Sequence, residues 1–321
     1  MKILLTGAFG NIGESTLLAL FEKNYEIRCF DLKNERNEKV SRNLSKKGDF
    51  EIVWGNILDI SHVKIAIDGV DAIIHLAAII PPPSELKPDL AKSVNIEGTR
   101  NIINAVKEME KKPKIIYASS VSVFGRTMHL PPPRNADEPV VASDTYTGTK
   151  IEAEQIIKSS TLPWTILRFT ATPPLEISIS MDPIAFEIPL DQRVEFVHSR
   201  DVGQACANAV EAETIGKILL IGGGPSCQML EREFLTKMFD GVGIGMLPDS
   251  AFKVATKPEE YFYTDWLDTK ESQEILQFQS RSLDEYIEEM KSRLGVLGSL
   301  AKIFRPIARW YMLRQSPYYR K

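Results

Sequence analysis

A short apolar run, Lys2 to Thr6, leads without a break into Gly7-Ala8-Phe9-Gly10-Asn11-Ile12-Gly13, and from Glu14 to Glu22 apolar residues recur at helical spacing. Strand, glycine-rich turn and helix in immediate succession is the context in which a dinucleotide pyrophosphate meets a helix N-terminus. Gly7 would permit the tight turn, Gly10 the close approach of the pyrophosphate, and Gly13 tight packing of helix on strand. The residues between them, Phe9, Asn11 and Ile12, belong to the same candidate cofactor loop. No Gly-Lys-Ser/Thr follows, so a P-loop is excluded.

The strand–helix alternation continues. Glu26 to Phe30 is a second strand ending at Asp31, about 20 residues beyond the glycines, where a carboxylate can accept both hydroxyls of an adenosine ribose. A 2′-phosphate would meet like charge there, which favours NAD over NADP; the nearby Lys33 and Arg36 soften the distinction. Residues 33–49 read as a weak helix and loop, and Phe50 to Trp54 as a third strand followed by Gly55-Asn56-Ile57-Leu58-Asp59. Asp71 to Leu76 is apolar at its centre, as a strand covered on both faces should be. It runs into Ala77-Ala78, small residues that a cofactor could approach. His75, without a partner at metal-ligand spacing, reads as core.

Pro81-Pro82-Pro83 breaks the chain, and one long helix over Pro88 to Glu110 carries Asn95. Lys114 to Ala118 is a fifth strand ending in Ser119-Ser120-Val121-Ser122-Val123-Phe124-Gly125, and Trp164 to Arg168 a sixth. Between them lies Tyr146-Thr147-Gly148-Thr149-Lys150. A tyrosine and a lysine four apart share one helix face. Bringing a phenol from ~10 to about 7 requires roughly 4 kcal/mol. An ammonium ~4 Å away at an effective dielectric of ~20 supplies about that much.

Composition bounds the rest. The 321 residues can bury a large core, and 43% hydrophobic and 26% charged residues are ordinary for a globular chain. A net charge of -4 gives no reason to expect nucleic acid. Cys29, Cys206 and Cys227 show no paired spacing, which favours a reduced compartment and argues against a disulfide framework or a metal site. With no signal-like start and no spanning apolar run, the expectation is a cytoplasmic protein.

The glycine turn, Asp31, Ser120 and the Tyr146/Lys150 pair stand in one order on one scaffold. That order resembles the extended branch of the short-chain dehydrogenase/reductases, the NAD-dependent epimerase/dehydratase family. The resemblance rests on TGAFGNIG (6–13), GNILD (55–59), HLAA (75–78), VNIEGT (94–99), SSVSVFG (119–125), YTGTK (146–150), FVHSRDV (196–202) and ILLIGGG (218–224). It implies a doubly wound, Rossmann-like parallel α/β sheet: a dinucleotide-binding domain at 1–169, a smaller substrate lobe at 170–294 with returns to the sheet, and a basic tail at 295–321.

Carried over residue by residue, the resemblance makes Ser120 the catalytic hydroxyl, Tyr146 the general acid/base, and Lys150 the residue that lowers the tyrosine pKa and holds the nicotinamide ribose. Asn56 and Ile57 would contact adenine, with Asn in place of the usual Asp. Leu76, Ala77 and Ala78 would line the cofactor, and Asn95 would lie near its ribose and phosphate end. Ser122 and Arg193 are candidate substrate contacts, and His198 is expected to be structural.

Two departures narrow the chemistry. Val121 and Ser122 replace the Asp-Glu pair of the family's dehydratases, and Ala171 replaces the asparagine that touches substrate phosphate in its nucleotide-sugar epimerases. Three readings therefore stand: an NAD-dependent epimerase or dehydrogenase of a sugar-type secondary alcohol, a dehydrogenase of a lipid-like or steroid-like alcohol, and a dinucleotide sensor without chemistry. A homodimer is expected from the resemblance. The segment from Leu297 onward carries basic and aromatic residues and no acidic one. It would rest on a membrane surface or a partner, or fold back on its own acidic protein.

Overall fold

Alternation of apolar residues along the first strand already implies two cores. Ile3 and Leu5 point into one cluster and Leu4 into another, as the two-residue period of a strand covered on both faces requires. The structure, a computed structural model, describes residues 1–175, 183–294 and 304–319. Its main sheet is built from β1 (Lys2–Thr6), β2 (Glu26–Asp31), β3 (Glu51–Trp54), β4 (Ala72–His75), β5 (Lys114–Ser120), β6 (Trp164–Phe169) and, after the chain has left and returned, β8 (Lys217–Ile221). The order is β3-β2-β1-β4-β5-β6-β8 and every pairing is parallel. The order reverses between β1 and β4, so a crevice opens at their carboxyl ends.

One face of the sheet is covered by α1 (Asn11–Phe21) and α8 (Ser199–Asn208). The two helices meet at Gly203, where a Cβ would stand 2.5 Å from the Ser15 backbone. On the other face, α3 (Ile60–Ile67), α6 (Gly98–Glu108) and α7 (Thr145–Lys158) supply Val63, Ile102, Val106, Ala153 and Ile157 to the second core. At the sheet's far edge α10 (Lys270–Leu276) lies beside β8, where the Ser272 hydroxyl accepts from Leu220 N at 3.1 Å.

The polar 33–49 stretch holds the expected helix and loop: α2 (Glu35–Leu44) is capped by the Asn34 side chain, which accepts from Asn37 N at 2.9 Å. Local structure differs from the sequence reading in two places. The single long helix expected over 88–110 is divided. Short helices α4 (Pro83–Leu86) and α5 (Pro88–Lys92) precede a π-helical turn, Ser93–Glu97, before α6 begins. The strand expected over 194–198 is only β7 (Arg193–Glu195), paired antiparallel with β9 (Gln228–Leu230).

That two-stranded ribbon packs with α9 (Glu231–Gly241) and α11 (Leu283–Leu294) over a separate core containing Phe196, Met229, Tyr286 and Ile287. Asp201, at the start of α8, fixes this layer to the sheet. Its carboxylate accepts from Ser280 N and Arg281 N, each at 2.9 Å, and pairs with the Arg281 guanidinium at 2.6 Å. A terminal helix, Arg305–Gln315, folds back on the lobe through Met312 and Leu313. Of the tail's other basic residues, Lys302, Arg320 and Lys321 lie outside the described residues. Among the described residues, no helix is long and apolar enough to cross a membrane.

Candidate active site

The crevice between β1 and β4 contains most of the predicted cofactor residues. A cleft of about 360 Å³ is bordered by Gly7, Gly10, Asp31, Asn56, Ile57 and the Leu76–Ala78 strand end. Gly7 has φ +65°, and a Cβ there would lie 2.8 Å from Ala77 N, so the two strand ends approach as closely as backbone allows. Gly13 is closed against the backbone of Ala8, 2.7 Å from where its Cβ would be. Gly10, in contrast, would meet only Gly7 O at 3.4 Å. The glycines thus shape a cradle floored by backbone and open on one side.

Asp31 stands at the rim of that cradle. Its carboxylate accepts from Phe9 N at 3.0 Å, Leu32 N at 2.8 Å and Asn37 Nδ2 at 3.2 Å. Burial raises its pKa, opposed by the hydrogen bonds from Phe9 N and Leu32 N and by Arg36. The two nearby cations are engaged: Arg36 donates to Phe9 O at 2.7 Å and Lys33 pairs with Glu38 at 3.6 Å. Phe9 itself turns its ring into the core, 5.3 Å from Trp54. The side chain of Asn11 ties the start of α1 to Thr172 O at 3.2 Å, and Ile12 packs beside the first core.

Asn95, expected beside the ribose, is a buried brace. Its Oδ1 accepts from Ile79 N at 2.7 Å, and its Nδ2 donates to Ile79 O at 2.9 Å and to Thr149 Oγ1 at 3.0 Å. It sits in the π-helical turn and so fastens the loop after β4 to the helix of Lys150. His75 is core, as expected. Thr6 and Thr99 hydroxyls meet its two ring nitrogens at 2.8 and 3.1 Å, and burial pushes it down to about 3, keeping it neutral.

The strand β5 ends at Ser120, whose Oγ accepts from Ser122 N at 3.2 Å and from Ser122 Oγ at 2.9 Å. Across from it, α7 starts on a capping box between Asp144 and Thr147 and presents Tyr146 one turn before Lys150. Ser120 lies close enough to the Tyr146 hydroxyl to lower its pKa. Lys150 Nζ donates to Ala118 O at 2.6 Å, lies 4.9 Å from the centre of the Tyr117 ring and 5.8 Å from that of Tyr146. Ser120, Tyr146 and Lys150 therefore share one site at the carboxyl edge of the sheet.

The electrostatics depart from the simple expectation. Burial pushes the Tyr146 hydroxyl up to about 12, against the lowering effect of Ser120. Burial pushes Lys150 down to about 7, against the raising effect of Glu154. Attraction between ammonium and phenolate is only one side of the balance; desolvation, the other side, favours the neutral form of both groups. The lysine by itself does not bring this phenol to neutrality.

Several residues around the site were missed from the sequence. Glu85, in the short helix α4, accepts from Thr145 N at 3.2 Å and Tyr146 N at 3.0 Å, closing the N-terminus of α7. Glu154 lies one turn beyond Lys150, fully buried, and accepts from Ser119 Oγ at 2.6 Å and from two nitrogens of the buried Arg168. Its four-residue spacing from Lys150 was the available signal. Arg193 is held by Asp265 at 2.6 Å and by the Thr127 and Leu130 carbonyls, and His198 caps α8 through Arg200 N at 3.1 Å. Among the described residues no cluster of three or more His, Cys, Asp or Glu has metal-binding geometry.

Known proteins match this arrangement at two levels. The 3-beta hydroxysteroid dehydrogenase/isomerase family matches residues 4–162. A 3-beta-hydroxysteroid dehydrogenase of Mycolicibacterium neoaurum is 30% identical over 165 residues, 49% of this chain and 42% of that protein. A 3 beta-hydroxysteroid dehydrogenase/Delta 5-->4-isomerase of Mycobacterium tuberculosis is 27% identical over the same length. The aligned part thus spans less than half of these relatives. Among solved structures, a tyrosine-to-phenylalanine mutant of UDP-glucuronic acid 4-epimerase of Bacillus cereus, in complex with UDP-4-deoxy-4-fluoro-glucuronic acid and NAD, has a TM-score of 0.76 at 21% identity, covering 92% of this chain and 100% of that one. The UDP-glucose-4-epimerase of Stenotrophomonas maltophila, with bound NAD, gives 0.78 at 17%, covering 94% and 100%. The amino-terminal half thus matches the 3-beta hydroxysteroid dehydrogenase/isomerase family, and nearly the whole chain shares the fold of these solved epimerases.

Proposed function

We propose that this protein is an NAD-dependent enzyme that oxidises a secondary alcohol through Ser120, Tyr146 and Lys150. The observation that carries the reading is the convergence of Ser120 at the end of β5 with Tyr146 and Lys150 one turn apart on α7, Lys150 Nζ lying 5.8 Å from the centre of the Tyr146 ring and bonded to Ala118 O, at the sheet edge that also holds the glycine cradle. Asp31 at the rim, with Arg36 and Lys33 occupied elsewhere, supports NAD over NADP. Gly7, Gly10 and Gly13 would hold the pyrophosphate and Asp31 the adenosine ribose.

When bound, the dinucleotide supplies a two-electron acceptor and a positive charge that adds to Lys150 in favouring the phenolate. Tyr146 takes the proton from the substrate hydroxyl, and Ser120 donates to the oxygen as it becomes a carbonyl. Lys150 holds the ribose hydroxyls and stabilises the charge on Tyr146. Residues 170–294 serve as the lobe that encloses the substrate, with the β8 strand returned to the sheet.

For the substrate we infer an apolar, ring-borne alcohol of steroid-like character. A cleft of about 440 Å³ begins at Phe124, the last residue of the turn after Ser120, and has further walls from Leu130, Val141 and Ala142, with Arg126 and Glu138 among its polar groups. Arg193 is committed to Asp265, and Ala171 has no side chain with which to contact a phosphate. The 3-beta-hydroxysteroid dehydrogenase relatives support the same class. The test is NADH formation from NAD across a panel of hydroxysteroids, other apolar ring alcohols and nucleotide sugars. Stoichiometric NADH from the apolar alcohols is expected. Interconversion of nucleotide sugars without net NADH would overturn the substrate class, and dinucleotide binding without turnover of either group would favour the sensor.

A further inference from the structure

One face of the terminal helix, Arg305–Gln315, is already used. Arg309 donates to Gly245 O and Met246 O at 2.7 Å each, and Ser316 Oγ donates to Ala251 O at 2.5 Å. Met312 is buried in a cluster with Phe239, Leu247 and Phe252. At about 100° per residue Arg309 and Met312 occupy one side of the helix, and Ser316 follows its end.

The opposite side, an arc about 120° wide, carries Phe304, Ile307, Trp310, Tyr311 and Arg314. Their apolar members are exposed by 53% (Phe304), 61% (Ile307), 45% (Trp310) and 46% (Tyr311). A helix packed by one face is expected to show water a polar one. This one shows aromatic and aliphatic side chains, with the Arg314 guanidinium 4.0 Å above the Trp310 ring. Every charged residue after Glu289 is basic, although the whole chain carries -4.

We propose that this outer face rests on the surface of an anionic phospholipid bilayer. Trp and Tyr rings prefer the headgroup region, Ile307 and Phe304 reach the acyl boundary, and Arg314 meets lipid phosphates. The helix lies along the surface, since Arg309 on its inner face is bonded to the lobe and no described helix is able to span. A second copy of the chain is a poorer occupant. A two-fold contact through this face would bring together two segments that are each basic, with no carboxylate on either to offset the repulsion. The proposal is independent of the chemistry assigned above and would survive its failure.

Co-sedimentation of the full chain with phosphatidylcholine vesicles, with and without roughly one-third phosphatidylglycerol, tests it directly. We expect partition at least about tenfold stronger onto the anionic vesicles, falling as salt is added. The Ile307→Asp/Trp310→Asp variant should lose that binding, and Arg314→Glu should lose the preference for anionic lipid. Unchanged thermal unfolding and dinucleotide binding in these variants would show an intact fold. Absence of binding to anionic vesicles, equal binding to neutral ones, or wild-type binding by the double variant would overturn the proposal. So would self-association that the double variant abolishes without any affinity for vesicles.

Discussion

Glu154 receives the guanidinium of Arg168 through Nε at 3.0 Å and Nη2 at 2.8 Å, one helical turn beyond Lys150. The same carboxylate accepts from Ser119 Oγ, the residue before Ser120. Arg168 in turn lies 4.9 Å from the centre of the Phe124 ring and donates to Ala136 O at 3.0 Å. A single buried ion pair thus joins α7, the end of β5, β6 and the turn that follows Ser120. Both partners are at most 2% exposed, so neither finds water if the other is removed.

Replacing Glu154 by alanine should therefore cost on the order of 3–5 kcal/mol, because it leaves an uncompensated buried guanidinium. Chemical denaturation measures this. A loss below about 1 kcal/mol, typical of an exposed pair, would contradict the account.

Asp31→Asn keeps the shape of the side chain and removes its charge. Affinity for NAD should fall by about tenfold, roughly 1.4 kcal/mol, and the preference over NADP should narrow. Titration of both dinucleotides against both proteins tests this, and an unaltered ratio of affinities would remove Asp31 from the ribose.

Glu231 gives a pH signature away from the chemistry. It is buried at the start of α9, and burial alone pushes its carboxyl up from 4.5 to about 8. Between those values the unfolded chain has released a proton that the folded chain keeps, so this group lowers stability as pH rises through the window. Glu231→Gln removes that slope. Relative to the wild type it should gain on the order of 3–4 kcal/mol on going from about pH 5 to about pH 8, read by denaturation at each pH. Parallel stability profiles for the two proteins would contradict the assignment.

The parts of the fold legible in the sequence were those set by short-range pattern. Apolar runs buried on both faces marked the strands, and the glycine spacing marked the turn after β1. The division of the 88–110 stretch was not legible, because its π-helical turn is maintained by Asn95 bonding to Ile79, a contact between distant segments. The order Ser120, Tyr146, Lys150 was readable as motif, but their ionisation was not. Desolvation depends on everything packed around a group, and burial moves Tyr146 and Lys150 in opposite directions away from their charged forms. Glu85 escaped notice for a similar reason: its role exists only once the proline loop meets the start of α7.

The central claim is that the Tyr146 hydroxyl carries the proton. Tyr146→Phe removes that oxygen alone, leaving the ring, Lys150 and the glycine cradle. Turnover of the substrate found by the alcohol panel should fall by at least about a thousandfold. NAD affinity measured by titration should stay within about threefold of the wild type, because the hydroxyl acts in the transition state more than in binding. Turnover near the wild-type rate in the Tyr146→Phe variant would contradict the account.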